Sequence, residues 1–348
     1  MPVTHPDPAD RAAAMAAFLA ASGWGGAEPV MLAGDASFRR YYRLSDGSRR
    51  AVLMDAPPPE NPAAYEHVAG ILRGFGLSAP EIYAADREHG FLLIEDYGDA
   101  SYTQLLAGGA DEAALYGLAV DTLLALHRGV AAAGLPALPP YDEARLLTET
   151  ALLVDWYAPS VLGVPFSAAM RTEYLTRWRA VLPAAALSAM TIVLRDYHVD
   201  NLMLLADRTG VGRCGLLDFQ DAVIGPATYD LVSLLEDARR DVPAALRTAM
   251  TERYLAAFPD LDAARFRRSA AILAAQRNAK IIGLFVRLWQ RDGKPQYLTH
   301  IPRVWRLLEG DLAREPVLAP VAEWLRHHLP PAVRRMPDPG ESAAAVAA

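Results

Sequence analysis

The sequence predicts a two-lobed α+β fold, with a small strand-rich N-terminal lobe and a larger helical C-terminal lobe. Three observations predict it. Short runs of alternating apolar and polar residues, separated by turn residues, fill the chain up to about residue 95. Long Ala- and Leu-rich segments with helical spacing dominate from Ser101 onward. One further pair of strand-like runs, within residues 191–225, interrupts the helices and carries Asp, Asn and His at its ends. The 348 residues, 52% hydrophobic and 22% charged, are ample for the core that such a fold needs.

The elements follow in order. After Asp10, expected to cap the first helix, Met15, Phe18 and Leu19 recur at helical spacing. The runs "PVMLAG", "RRYYRLS" and "RRAVLMDA", broken by "DAS" and by the turn "SDGS", read as an antiparallel meander over residues 29–56. A helix over 63–75 comes next, with Val68, Ile71, Leu72 and Phe75 on its buried face. Two more strands, "EIYAAD" and "FLLIED", flank the polar turn "REHG". The expected boundaries are an N-lobe over 1–95, a hinge over 96–100, a C-lobe over 101–335 and a disordered tail over 336–348.

Composition excludes several classes of function. A net charge of −7 without basic blocks gives no footprint for nucleic acid. No apolar run is long enough to span a membrane, and Asp7 and Asp10 ahead of the first apolar run argue against a secretion signal. The single cysteine, Cys214, cannot build a disulfide framework or a thiolate metal site. A cytoplasmic monomer is expected. Walker, H-E-x-x-H and G-x-S-x-G motifs are absent, and the chain has two lysines, Lys280 and Lys294, against 32 arginines.

The chemistry concentrates in "TIVLRDYHVDNLMLLADRTGVGRCGLLDFQDAVIG", residues 191–225. The runs "NLMLLA" and "GRCGLLDF" form a hairpin on the turn "DRTG", whose open end brings Asn201 and Asp218 together, with Asp196 just ahead of the first strand. Oxygen-bearing side chains at one rim suit a hard cation such as magnesium, with one carboxylate left for proton transfer. Taken singly, the same residue types are turn formers and caps. The Asp-x-His-x-Asp spacing of residues 196–200 also fits a metallohydrolase, a reading that leaves "LLDFQD" unexplained.

"RDYHVDN", then "LLDFQD" with Asp218 placed 17 residues after Asn201, then "GPATYDL", resemble the catalytic core of the aminoglycoside phosphotransferase family in order and separation. The resemblance covers nearly the whole chain and implies a protein-kinase-like fold, with ATP and Mg2+ used to phosphorylate a small molecule. It implies that Asp196 is the catalytic carboxylate facing the acceptor hydroxyl, that Asn201 and Asp218 hold the metal, and that Asp230 supports the catalytic loop from a helix. "FLLIEDYGD" resembles the hinge that receives adenine, which places Glu95 and Tyr97 at the nucleotide. "GDASFRRYYRL" resembles the phosphate-covering loop, with Ser37 and Phe38. In that family the helix bearing Glu149, Asp155 and Trp156 lines the acceptor pocket, and a histidine such as His198 is common in the catalytic loop; its functional reading is to orient Asp200 or a sugar hydroxyl at the substrate, its plainer one a simple hydrogen bond. Core packing is the plainer role for Trp156, as it is for His127 on an apolar helical face.

Within the family, "DASFRRYYRL", "AVLMDAPPPE", "RNAKIIGLFVRLWQRDGKPQYL" and "IPRVWRLLEGDL" are similar to the anomeric kinases of N-acetylmuramate and N-acetylglucosamine, which recycle cell-wall sugars. ATP and an amino sugar are then the implied partners. A kinase of another hydroxyl, of aminoglycoside, choline or homoserine type, and an inactive nucleotide-binding module are the alternatives.

The chain departs from the broad kinase pattern where the third strand should carry a phosphate-gripping lysine and has Met54 instead. Strand alternation puts Arg39, Tyr41 and Arg43 on one face, and Leu44 marks the opposite face as the packed one. Arg39 or Arg43 is therefore expected to replace the lysine, with Glu66 on the following helix as anchor. Arg277, Lys280, Arg287 and Arg291 recur at near-helical spacing, the pattern of a solvated face. Their functional reading, with Arg277 as the first choice, is a cation for the carboxylate of muramate.

Overall fold

The computed structural model describes residues 8–32, 39–186 and 189–339. In chain order it begins with α1 (Pro8–Ala21), β1 (Val30–Met31), β2 (Arg40–Asp46), β3 (Arg49–Asp55), α2 (Pro62–Gly74), β4 (Ile82–Asp86) and β5 (Phe91–Ile94). Then come α3 (Tyr102–Ala107), α4 (Glu112–Ala133), α5 (Glu143–Leu152), a π turn (Leu153–Tyr157), α6 (Ala158–Leu162) and α7 (Ala168–Val181). The strands β6 (Met190–Val193), β7 (Leu202–Leu204), β8 (Cys214–Leu216) and β9 (Val223–Pro226) follow. The last long helices are α8 (Thr228–Leu235), α9 (Ala244–Ala256), α10 (Ala263–Asp292), α11 (Ile301–Arg314) and α12 (Ala319–His328). No helix among the described residues is long and apolar enough to cross a membrane.

The chain forms two compact units, Met1–Leu126 with Val199–Ala222, and His127–His198 with Val223–Ala348. This division differs from the lobe boundary expected at residues 95–101. The β7–β8 hairpin belongs to the strand-rich unit because its backbone is satisfied there: Met203 bridges to Ser101, and Gly215 to Ser78.

In the first unit the five-stranded sheet has the order β1-β2-β3-β5-β4 and is antiparallel throughout. One face, with Leu44, Ala51, Leu53, Phe91 and Leu93, is buried against Phe18 and Leu19 of α1 and against Trp24. Tyr41 is paired with Met54 across β2 and β3, so both side chains stand on the other face, as the alternation predicts. Helix α2 is capped by Asn61, whose side chain accepts from the Ala63 N–H, and Pro62 opens its first turn. It buries Tyr65, Val68, Ala69 and Leu72, while Ile71 and Phe75, expected on that stripe, are only half-buried. Helix α1 starts at Pro8, so Asp10 lies in its first turn rather than at the cap, where a negative charge still complements the helix dipole.

In the second unit α10 is the central element. Asp262 caps it by accepting from Ala264 and Arg265, and Gly293 ends it in the left-handed region. Because α5, the π turn, α8 and α11 all pack on it, residues expected on a solvated face are interior. Arg277 and Lys280 are buried, and each has a partner: the Glu236 carbonyl and the Glu149 carboxylate. Only Arg291, paired with Asp292, keeps the exposed position that the spacing implies.

Candidate active site

In the first unit the β7–β8 pairing runs Leu202 to Leu216, Met203 to Gly215 and Leu204 to Cys214. The Leu217 N–H donates to the Asn201 carbonyl at 3.0 Å, which continues the ladder and sets Asn201 and Asp218 at the same end. Asp218 has φ 55°, a left-handed conformation that costs a non-glycine residue energy and that recurs at functional sites. Its Oδ1 accepts from Gln220 at 2.8 Å and from Arg39 at 3.2 Å.

Arg39 is buried, and its Nε also lies 3.6 Å from Glu60. Burial works against the guanidinium charge, but Tyr41, Asp218, Glu60 and Asp221 outweigh it and raise its pKa. Arg43, on the same strand face, is bound to Asp96 and Asp99, each at 2.8 Å, and donates to the Gly98 carbonyl at 3.0 Å. Of the two arginines expected to replace the lysine, Arg39 thus reaches Asp218 and Arg43 ties down the hinge. Glu66 anchors neither. Its carboxylate is held by Arg87 at 2.7 and 3.0 Å. The acid beside Arg39 is Glu60, in the loop before α2.

A cavity of about 260 Å³ in this unit is lined by Val52, Tyr65, Ile94, Tyr97 and Met203, with Arg43, Asp96, Asn201 and Asp218 among its polar walls. The Tyr97 ring lies against Gly215, where an added Cβ would come within 2.8 Å of it, so only glycine admits the ring there. Glu95 also lines the cavity, but its N–H, expected among the hinge groups for adenine, donates to the Glu81 carbonyl at 2.8 Å, and its carboxylate binds Arg208. Ser37 and Phe38 lie outside the described residues.

In the second unit, Asp230 in the first turn of α8 accepts from the Leu194 N–H at 2.6 Å and the Arg195 N–H at 2.9 Å. Burial pushes this carboxyl up to about 7, against those two hydrogen bonds. Arg195 has φ 73°, so the chain bends sharply just ahead of the half-buried Asp196. The Arg195 guanidinium binds the buried Glu149 at 2.6 Å; Glu149 also accepts from the Tyr141 hydroxyl and lies 3.2 Å from Lys280. Burial would raise the Asp196 carboxyl, yet Lys280, His198, Arg195 and Arg277 hold it below its ordinary value.

The remaining expected residues are placed as follows. His198 Nε2 lies 3.4 Å from Arg239, and Asp200 accepts from the Thr103 hydroxyl. Trp156 is half-buried against the core, and Asp155 is gripped by Arg171 at 2.7 and 2.9 Å. His127 is a core histidine, bonded to the Tyr254 hydroxyl at 2.6 Å and lowered by burial to about 3. Three partners escaped the sequence reading. Glu60 has no periodic signal, Arg195 is hidden among many arginines, and the Lys280–Glu149 pair joins helices that are far apart in sequence; the rarity of lysine was its one clue.

Asn201 and Asp218 offer an amide oxygen and a carboxylate, the hard donors that a divalent cation takes. Among the described residues no group of three His, Cys, Asp or Glu gathers into a cage of its own. This donor set fits an ion whose other ligands are phosphate oxygens and water.

Residues 30–267 match the model of the phosphotransferase enzyme family, APH. An N-acetylmuramate/N-acetylglucosamine kinase of Caulobacter vibrioides is 38% identical over 364 residues, covering 94% of this chain and 99% of the relative. One of Pseudomonas aeruginosa is 41% identical over 322 residues, covering 88% of this chain and 90% of the relative. Among solved structures, a choline/ethanolamine kinase family protein from Mesorhizobium loti has a TM-score of 0.57 at 17% identity, covering 94% of this chain and 99% of that one. The GDP complex of aminoglycoside 2′-phosphotransferase-IIIa has a TM-score of 0.51 at 18% identity, covering 82% and 92%. These two likenesses identify the fold as protein-kinase-like. With most of its length matched by the family model and relatives spanning it almost end to end, the chain belongs to the phosphotransferase enzyme family.

Proposed function

We infer that this protein is an amino-sugar kinase that transfers the γ-phosphoryl group of ATP to the anomeric hydroxyl of N-acetylmuramate and N-acetylglucosamine. The near end-to-end similarity to two kinases of those sugars carries this reading. The site chemistry supports it. Asp196 faces the acceptor and orients its hydroxyl; the oxygen attacks the γ-phosphorus, the bond to the β-phosphate oxygen breaks, and the hydroxyl proton passes to the carboxylate. With its pKa held low, Asp196 is a weak base, so orientation is its main contribution and the proton moves late.

Asn201 and Asp218 would hold Mg2+, which when bound stabilises the negative charge on the phosphate oxygens. Arg39 takes over the work of the absent lysine: it stands two residues before Tyr41, which pairs with Met54, and its guanidinium is already aimed at Asp218. The cavity lined by Tyr97 and Met203 receives the nucleotide base, with the hinge around it stiffened by Arg43.

The test is the phosphorus NMR spectrum of the product formed from ATP, Mg2+ and each of four acceptors: N-acetylmuramate, N-acetylglucosamine, choline and an aminoglycoside. A sugar 1-phosphate labile to mild acid is expected. A 6-phosphate, or turnover confined to choline or the aminoglycoside, would overturn the reading and leave the fold untouched.

A further inference from the structure

Arg287 stands apart from the other cations of α10. Its Nε is shielded from solvent without a hydrogen bond, and its guanidinium has no ion pair among the described residues. Burial and the neighbouring charge of Arg291 both disfavour its cationic form. A half-buried arginine with five donors and no carboxylate is costly unless something arrives to meet it.

Its position follows from three contacts. Lys280 meets Glu149 of α5 at 3.2 Å. Gly283 lies so close to α5 that an added Cβ would be 2.1 Å from the Leu152 carbonyl carbon. Gln290 donates to the Ser160 hydroxyl at 2.9 Å. The two segments therefore run side by side in the same direction, and Arg287 stands opposite the end of the π turn Leu153–Tyr157. Such turns widen a helix locally and often mark functional sites. Every acid nearby is engaged: Asp155 by Arg171, Asp292 by Arg291, and Glu149 by Arg195 and Lys280. Lys280, whose charge acts on Asp196, lies seven residues earlier on the same helical face, about 10 Å along the axis. Arg277, the sequence's first choice for an acceptor carboxylate, is engaged with the Glu236 carbonyl.

Resting on the amino-sugar reading, we propose that Arg287 binds the carboxylate of an acidic amino sugar and so sets the preference for a carboxylate-bearing acceptor over a neutral one. A planar guanidinium can grip that carboxylate through two parallel hydrogen bonds. The neutral sugar makes no such contact, so its turnover is independent of Arg287.

The experiment compares kcat and KM of the wild-type chain and Arg287→Gln for N-acetylmuramate and for N-acetylglucosamine, with ATP and Mg2+ saturating. For the acidic sugar, kcat/KM should fall roughly 10- to 100-fold, mostly through KM, while the neutral sugar changes by less than about two-fold. If circular dichroism shows Arg287→Gln to be misfolded, Arg287→Lys carries the test: it keeps the charge, loses the paired geometry, and should lose roughly five- to ten-fold on the acidic sugar alone. Equal losses on both sugars, no loss on either, or a wild type that accepts only the neutral sugar would overturn the proposal. A wild type that phosphorylates neither sugar defeats the amino-sugar reading itself.

Discussion

Two regions hold charge in opposite ways. In the second unit, the buried Glu149 and Lys280 and the half-buried Arg195 form a network that holds the neighbouring Asp196 ionised. In the first unit, Arg39 is buried but its acids, Asp218 and Glu60, remain a quarter and a fifth exposed. The first arrangement suits a carboxylate that must begin every cycle ionised. The second suits a place where external phosphates and a cation come and go, because the partners at hand are incompletely desolvated and can be exchanged. In the second unit the ions meet one another; in the first, the acids beside Arg39 keep contact with water.

The largest break in this comparison is on the open side. If Asp218 holds Mg2+ as proposed, Asp218→Ala removes that donor and the partner of Arg39 together, so turnover should become undetectable and half-saturation by Mg2+ should rise sharply. Titrating Mg2+ against nucleotide binding checks it; an unchanged metal requirement would contradict the assignment. On the sealed side, Asp196→Asn keeps shape and hydrogen bonding while losing the charge. Its kcat should fall roughly 100- to 10,000-fold with nucleotide affinity preserved. Near-normal turnover would show that Lys280 and its neighbours sustain a carboxylate without catalytic work.

A finer probe separates Arg39, just ahead of β2, from Arg43 within it. If Arg39 replaces the absent lysine, Arg39→Ala loses a charge-assisted contact of about 1.5 to 3 kcal/mol, and kcat/KM for ATP should drop roughly 10- to 150-fold. Arg43→Ala frees the hinge instead, so its cost should appear in nucleotide affinity, with a smaller effect on kcat. Arg49, exposed and paired with Asp46, is the surface control. Arg39→Ala behaving like the Arg49→Ala control would remove arginine replacement from the account and leave Met54 uncompensated.

What was legible in the sequence follows a physical line. Features that depend on local periodicity were readable: the β2 face bearing Tyr41, Val68 and Leu72 on the buried stripe of α2, and the β7–β8 register that joins Asn201 to Asp218. Partnerships set by packing between distant segments were not. Nothing in the α10 spacing tells that four helical neighbours bury Arg277 and Lys280. Nothing near Glu66 tells that Arg87, in the β4–β5 turn, claims its carboxylate and leaves Arg39 to Glu60. Helical spacing predicts which side chains share a face, and the tertiary fold alone decides whether that face meets water.

The smallest effect tests whether the sealed side stores the titrations that its burial implies. Asp230 is pushed from 3.8 up to about 7, so the folded chain holds that proton more tightly than the unfolded one; its stabilisation is complete below 3.8 and lost as pH rises through 7. His127 runs the other way. Lowered from 6.5 to about 3, it contributes stability that is complete above 6.5 and lost as pH falls towards 3. Between pH 8 and pH 5.5, Asp230 should favour the acid side by about 2 kcal/mol and His127 the alkaline side by about 1.4 kcal/mol. Asp311, raised by burial and by Glu236, adds to the Asp230 side but is common to both variants and cancels on comparison with wild type. Urea unfolding at the two pH values should therefore show His127→Gln shifted towards greater relative stability at pH 5.5 than wild type, and Asp230→Asn shifted towards pH 8. Two variants that follow the wild-type pH dependence would mean that neither group changes its proton affinity on folding.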